Sequence, residues 1–191
     1  MRKIVLDIET QNTFRDVGSN DPKDLSISLL VIYDYQDNSF QSFLEADFPK
    51  LWKIIEASDM IIGFNSDHFD IPLLNKYYPG DITRIKSLDL LVEIQKSIGR
   101  RVRLDDIAEA TLGKNKIAHG LEAIEWWKTG EIEKIREYCE EDVRITKEVY
   151  EYALRHKQLK YKDLSSIKEF PVNTSLWETA TPVTLNYTLP F

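Results

Sequence analysis

The run Ile4-Val5-Leu6-Asp7-Ile8-Glu9 constrains this chain more than any other stretch. It is β-branched and apolar and follows two bases, which predicts a buried strand over residues 2–8. Two acids interrupt it. Side chains alternate across a strand, so Asp7 and Glu9 share the face that carries Val5. Burying an ionised carboxylate without a partner is prohibitively costly, so two on one inward face call for cations. The alternative is a strand that ends here, with both acids in water.

Two more acids stand where the pattern asks for apolar residues. Ile132, Ile135, Cys139, Thr146, Val149 and Ala153 mark the inward stripe of a long helix over 131–155, and Asp142 fills the gap in it. Tyr138 lies four residues earlier, one turn away on nearly the same face. A stripe that shifts to Val143 at this turn would instead leave Asp142 at the edge. Asp70 precedes Leu73, Leu74 and Tyr77 by three, four and seven residues, again on a core-facing side. A first-turn acid is also a common partner of the helix dipole. Asp67 reads as the solvent-facing or capping acid of that pair.

Four inward acids make an oxygen-rich site for hard cations. One cysteine and three scattered histidines are too few for a zinc cluster. No phosphate-binding glycine loop supports a nucleotide cofactor, and no serine-elbow motif is present. The single Cys139 excludes an internal disulfide and fits a reducing cytoplasm. The N-terminus lacks a signal-peptide core, and no apolar run reaches the ~20 residues that cross a bilayer. A net charge of −7 argues against a nonspecific nucleic-acid coat. Two divalent cations would move it to about −3 and concentrate the change at one place. Contact with a polyanion should therefore be local.

The order of elements predicts an α/β fold. Strands at 2–8, 26–35 and 39–44 form an antiparallel meander, after a loop over 10–25. A helix at 48–57, a buried strand at 60–64, a helix at 67–78 and a short strand at 82–87 follow, and the chain is mainly helical from Leu88. This suits a mixed sheet flanked by helices. From Tyr161 the prolines and threonines predict an irregular arm, which divides the chain into a domain at 1–160 and an arm at 161–191.

Three blocks resemble the DEDD superfamily of 3′→5′ exonucleases. Leu6-Asp7-Ile8-Glu9-Thr10 is similar to its first motif, and Gly63-Phe64-Asn65 through Phe69-Asp70-Ile71-Pro72-Leu73-Leu74 to its second. Tyr138-Cys139-Glu140-Glu141-Asp142-Val143 resembles the third in its tyrosine form; the histidine form would want a His where Glu137 stands. Leu104-Asp105-Asp106-Ile107-Ala108, Thr111-Leu112-Gly113 and Trp126 look like the family's helical connector, so the likeness spans about residues 3 to 155. It looks closest to stand-alone bacterial or archaeal RNase H-like domains related to polymerase proofreading domains.

The resemblance implies an RNase H-like fold and a phosphodiester hydrolase using two Mg²⁺ or Mn²⁺ ions about 4 Å apart. It implies that Asp7 bridges both ions, Glu9 and Asp142 complete one position, and Asp70 holds the other. Tyr138 would orient the attacking water, since a phenol with pKa near ~10 is mostly protonated at neutral pH. The expected reaction releases nucleoside 5′-monophosphates from a single-stranded 3′ end of DNA or RNA. Thr10 and Asn65 are expected either to support the metal ligands or to touch the terminal nucleotide. Phe14 in the following loop is a base-stacking candidate, against the alternative of local packing. Lys96, Arg100, Arg101 and Arg103, with Lys114 and Lys116 behind them, form the most basic stretch and a candidate strand guide; a solvated loop is the alternative. Trp126 and Trp127 read as packing residues, and Asp89, Asp105 and Asp106 as helix-start acids. Two other functions stay open: a non-catalytic RNase H-like binding module, and an accessory subunit to a replication or repair protein.

Overall fold

A computed structural model describes residues 1–114, 120–163 and 166–179. Strand β1 (Lys3–Thr10) is the middle of a five-stranded sheet. On one side it pairs antiparallel with β2 (Ile27–Asp34), which pairs antiparallel with β3 (Ser39–Phe43). On the other it pairs parallel with β4 (Met60–Gly63), which pairs parallel with β5 (Lys86–Asp89). The expected meander and the mixed α/β sheet are both present, in the order β3-β2-β1-β4-β5.

Alternation along β1 sorts its side chains between two cores. Ile4, Leu6 and Ile8 join one core with α2 (Phe48–Glu56) and α3 (Asp70–Tyr77). Val5 joins the other with α4 (Leu90–Ile98), α5 (Leu104–Leu112) and α7 (Ile132–His156). Between α5 and α7 lies α6 (Gly120–Thr129). Asp7 and Glu9 oppose Val31 and Leu29, which belong to the α7-side core, so both acids face α7 as the period of two requires.

Three local expectations are corrected. The loop at 10–25 contains a helical turn, α1 (Phe14–Val17), because Thr13 and Asp16 form a reciprocal capping box. The strand expected at 82–87 begins only at Lys86, since Asp81 caps a 3-10 turn at Ile82–Arg84. The arm expected to be irregular from Tyr161 instead continues as a hairpin, β6 (Gln158–Asp163) paired with β7 (Ser166–Pro171). The boundary drawn at 160 therefore falls inside β6. Its stability comes from tertiary contact that local pattern does not announce: Leu159 and Phe170 are buried in the α7-side core.

The stretch after the hairpin is anchored as well. Trp177 is 3% exposed, stacks on Tyr150 with ring centres 5.7 Å apart, and donates its indole N–H to Glu93. The Lys86 ammonium donates to the carbonyls of Leu176, Trp177 and Thr179. Residues 180–191, with Pro182 and Pro190, lie outside the described residues. Among the described residues, no helix is long and apolar enough to cross a membrane.

Candidate metal centre

The three parallel strands β1, β4 and β5 deliver their C-terminal ends to one edge of the sheet, the usual position of ligand sites in open α/β sheets. Glu9 and Thr10 end β1, and Asp89 ends β5. After β4 the chain turns sharply into α3. A Cβ on Gly63 would meet the Ser66 side chain at 2.5 Å, so only glycine fits, and Asn65 takes the left-handed conformation with φ 64°. That turn is held by Asp89, whose carboxylate accepts the backbone N–H groups of Asn65 and Asp67 while it caps α4 at Leu91. Asp89 is thus the helix-start acid expected, and Asp105 and Asp106 stand in the first turn of α5.

The turn places Asp70 at the first position of α3 with 4% exposure. Its Oδ1 is fully enclosed and has no hydrogen-bond partner among the described residues. Burial, and next the charge of Asp7, push its carboxyl well above the usual range. Asp70 and Asp7 therefore feel each other across the gap between β1 and α3. Asp67 is exposed, as expected of the outer acid.

On the other side α7 supplies Tyr138, Cys139 and Asp142. Ligand atoms of Asp7, Glu9 and Cys139 lie within 4.8 Å of one another. The Cys139 thiol is 3.3 Å from the carbonyl oxygen of Asp7 and 3.5 Å from its Oδ2, placed to donate to either. Burial raises the thiol's pKa, reinforced by Asp7, Glu9 and Asp142, so the sulfur stays protonated. The phenol of Tyr138 is likewise raised, first by burial, then by Asp142, Glu9 and Asp7. Trp126 packs edge-on against its ring with centres 6.2 Å apart. Val143 is fully buried and Asp142 only half-buried, so the helical stripe does shift as the alternative reading has it. Asp142 nonetheless remains electrostatically joined to Tyr138 and Cys139 from that edge. The fold thus gathers Asp7, Glu9, Asp70, Tyr138 and Asp142 from β1, α3 and α7.

The other singled-out residues separate. Thr10 uses its hydroxyl to hold the Asn12 carbonyl at 2.9 Å, fixing the chain just past Glu9. Phe14 packs edge-on against Phe69, the residue before Asp70, with ring centres 6.1 Å apart. Asn65, Arg100, Arg101 and Arg103 share one cleft. Lys96 pairs with Glu93 and lines a different groove, while Lys114 pairs with Glu148 on α7. Lys116 lies outside the described residues. Sequence reasoning missed the contact of Cys139 with Asp7, although its place on the inward stripe beside Tyr138 was a signal. It also missed Lys162 in the cleft, for which the arm carried none.

Comparison with known proteins agrees with this architecture. The RNase H superfamily pattern matches residues 4–154, and the chain belongs to that superfamily. Among solved structures, it resembles the family B DNA polymerase from the hyperthermophilic archaeon Pyrobaculum calidifontis, with a TM-score of 0.60 and 22% identity. The likeness covers 81% of this chain and 24% of the polymerase, and at that identity it speaks to the fold alone. No curated relative matches the chain.

Proposed function

We propose that this chain is a two-metal 3′→5′ exonuclease of the tyrosine DEDD type, acting on a single-stranded 3′ end. One observation carries the reading: the convergence of Asp7 and Glu9 from the central strand with nearly buried Asp70 and with the Tyr138–Asp142 pair of α7. Such a cluster is electrostatically unfavourable by itself, and the partnerless Oδ1 of Asp70 is the kind of atom a hard cation satisfies. The all-oxygen acid set fits Mg²⁺ or Mn²⁺.

Asp7 neighbours Glu9 on one side and Asp70 on the other, so it would help to hold both cations. Glu9 and Asp142 would complete one position and Asp70 the second. Divalent cations held by these acids would supply charge neutralisation at the scissile phosphate and activation of the attacking water. Tyr138 keeps its proton, so its hydroxyl orients the water and a phosphate oxygen by hydrogen bonding rather than as a base. Trp126 packs against the ring, Thr10 steadies the end of β1, and Phe14 packs on Phe69, the residue before Asp70. Attack breaks the bond to the leaving 3′ oxygen and releases a nucleoside 5′-monophosphate.

The test is degradation of 5′-labelled single-stranded DNA and RNA with Mn²⁺ or Mg²⁺, comparing wild type with Asp7→Ala/Asp142→Ala. The expected result is a ladder shortening from the 3′ end, abolished by EDTA and by the double substitution. Calorimetric metal binding without cleavage of either polymer would move the reading to a non-catalytic or accessory module serving a replication or repair partner.

A further inference from the structure

A cleft of about 420 Å³ lies between the β4–α3 turn, the segment joining α4 to α5, and the tip of β6. Its rim brings Arg100, Arg101, Arg103 and Lys162 together against the single carboxylate of Asp106. In a chain of net charge −7 this is a local reversal of sign. Most of these cations have acidic neighbours. Arg103 pairs with Asp106 at 2.7 Å, Lys162 with Glu109 at 2.9 Å, and Arg100 with Asp163 at 3.3 Å while lying over the ring of Tyr161. Arg101 differs: it is exposed, and its guanidinium donates to the neutral side-chain oxygen of Asn65, which leaves its charge uncompensated by that bond.

One connection ties the cleft to the acids, and a second fixes its wall. The Asn65 carbonyl accepts from the N–H of Phe69 at 3.1 Å, so the cleft wall lies one turn ahead of Asp70. Its backbone N–H donates to Asp89, which fixes the backbone of the residue whose side chain accepts from Arg101. A guanidinium offers a planar fork of donors suited to phosphate oxygens. Exposed ion pairs such as those of Arg100 and Lys162 contribute little and exchange readily for a phosphate. Lys162 also comes from the hairpin, beyond residues 4–154 that match the superfamily.

We propose that this cleft holds the backbone phosphates of the strand leading into the acid cluster, with Arg101 as its principal contact, oriented by Asn65, and Lys162 as a second. The β6–β7 hairpin is then part of the substrate site rather than an appendage. The proposal rests on the exonuclease reading for the identity of the strand, but binding is measurable without hydrolysis.

The experiment is fluorescence anisotropy of a 5′-labelled oligothymidylate in EDTA, titrated with the full chain from 50 mM to 1 M salt. Removing one cation from a phosphate of a single strand should lower the log–log salt slope by about 0.7, which corresponds to about eightfold weaker binding at 50 mM relative to 1 M. Arg101→Ala and Lys162→Ala are each expected to show that reduction, and Arg101→Glu a larger one. Arg101→Lys should keep the slope and lose part of the affinity, because charge remains without the fork. Lys50→Ala, the same charge change at an exposed position on α2, is expected to bind as wild type. Equal affinity and slope for Arg101→Ala and wild type would overturn the proposal, as would a wild type that cuts the strand but shows no salt-dependent binding. Arg101-dependent binding without any cleavage in metal would keep the proposal and sink the exonuclease reading instead.

Discussion

Replacing Asp7 by Asn should make the metal-free protein more stable while removing its response to divalent cations. Asp7 and Glu9 present oxygens within 4.8 Å of each other. Two unit charges at that separation repel by about 3.5 kcal/mol at an effective dielectric of about 20. Water at the open side screens part of this, leaving about 2 kcal/mol. In a chain of this size that raises the melting temperature by about 4–8 °C. Asn keeps an oxygen to accept from the Cys139 thiol, so the substitution removes charge with little change in packing. Asp70 gives the pH dependence its sign. Its folded carboxyl titrates well above the ordinary value of 3.8, so the folded state keeps a proton that the unfolded chain has lost. Its contribution is fully present below about pH 3.8 and is lost as pH rises through the raised folded value. Metal-free wild type should therefore lose stability as pH climbs through that window, and the advantage of Asp7→Asn should widen in parallel, since ionised Asp70 meets one charge fewer. The assay is thermal melting after EDTA treatment across a pH series, followed by Mg²⁺ or Mn²⁺ titration. Wild type should gain stability with metal, and Asp7→Asn much less. If Asp7→Asn melts no higher than wild type without metal, or if both respond equally to cations, the repulsive cluster is not what organises this site.

Three other outcomes follow from the same geometry. Tyr138→Phe should lower kcat on oligonucleotides about tenfold or more while leaving the metal-induced melting shift intact, and the wild-type pH–rate profile should show no limb from phenol ionisation, because burial and three acids hold that proton on; a Phe variant with unchanged kcat would remove the hydroxyl from the mechanism. Cys139→Ala should raise the metal concentration giving half-maximal activity, about tenfold by analogy with other residues that orient metal ligands, and Cys139→Ser should recover most of it by keeping a donor toward Asp7; equal metal dependence in the two variants would reduce Cys139 to packing. Trp177→Ala should cost about 3 kcal/mol in chemical denaturation, given its burial and its stacking on Tyr150; an unchanged midpoint would mean that the segment after the hairpin is not part of the folded unit.

The acids of the candidate site were legible as a set, because each stands where a periodic pattern asks for an apolar residue and each alone has an ordinary explanation. Asp7 and Glu9 break a buried strand, Asp70 stands on the apolar face of α3, and Asp142 lies at the edge of a helical stripe that shifts to Val143. A period of two or 3.6 fixes which way a side chain points once the element exists. The same rule anticipated the antiparallel meander and the α/β class, since strand and helix periods alternate along the chain. Local chemistry that depends on a single cap was harder to read: the Thr13–Asp16 box turned an expected loop into α1, and the Asp81 cap delayed β5 to Lys86.

What only the tertiary structure decided is which elements meet. Sequence could place Arg101 and Lys162 on the chain, but not on the walls of one cleft, nor send Lys96 and Lys114 elsewhere. The β6–β7 hairpin was invisible because its order rests on Leu159 and Phe170 entering a core built by α7 and the sheet. Cys139 reads as an ordinary core residue until α7 is laid across β1, and only then does its thiol reach Asp7. Periodicity determines the direction of a side chain; long-range packing determines what waits there.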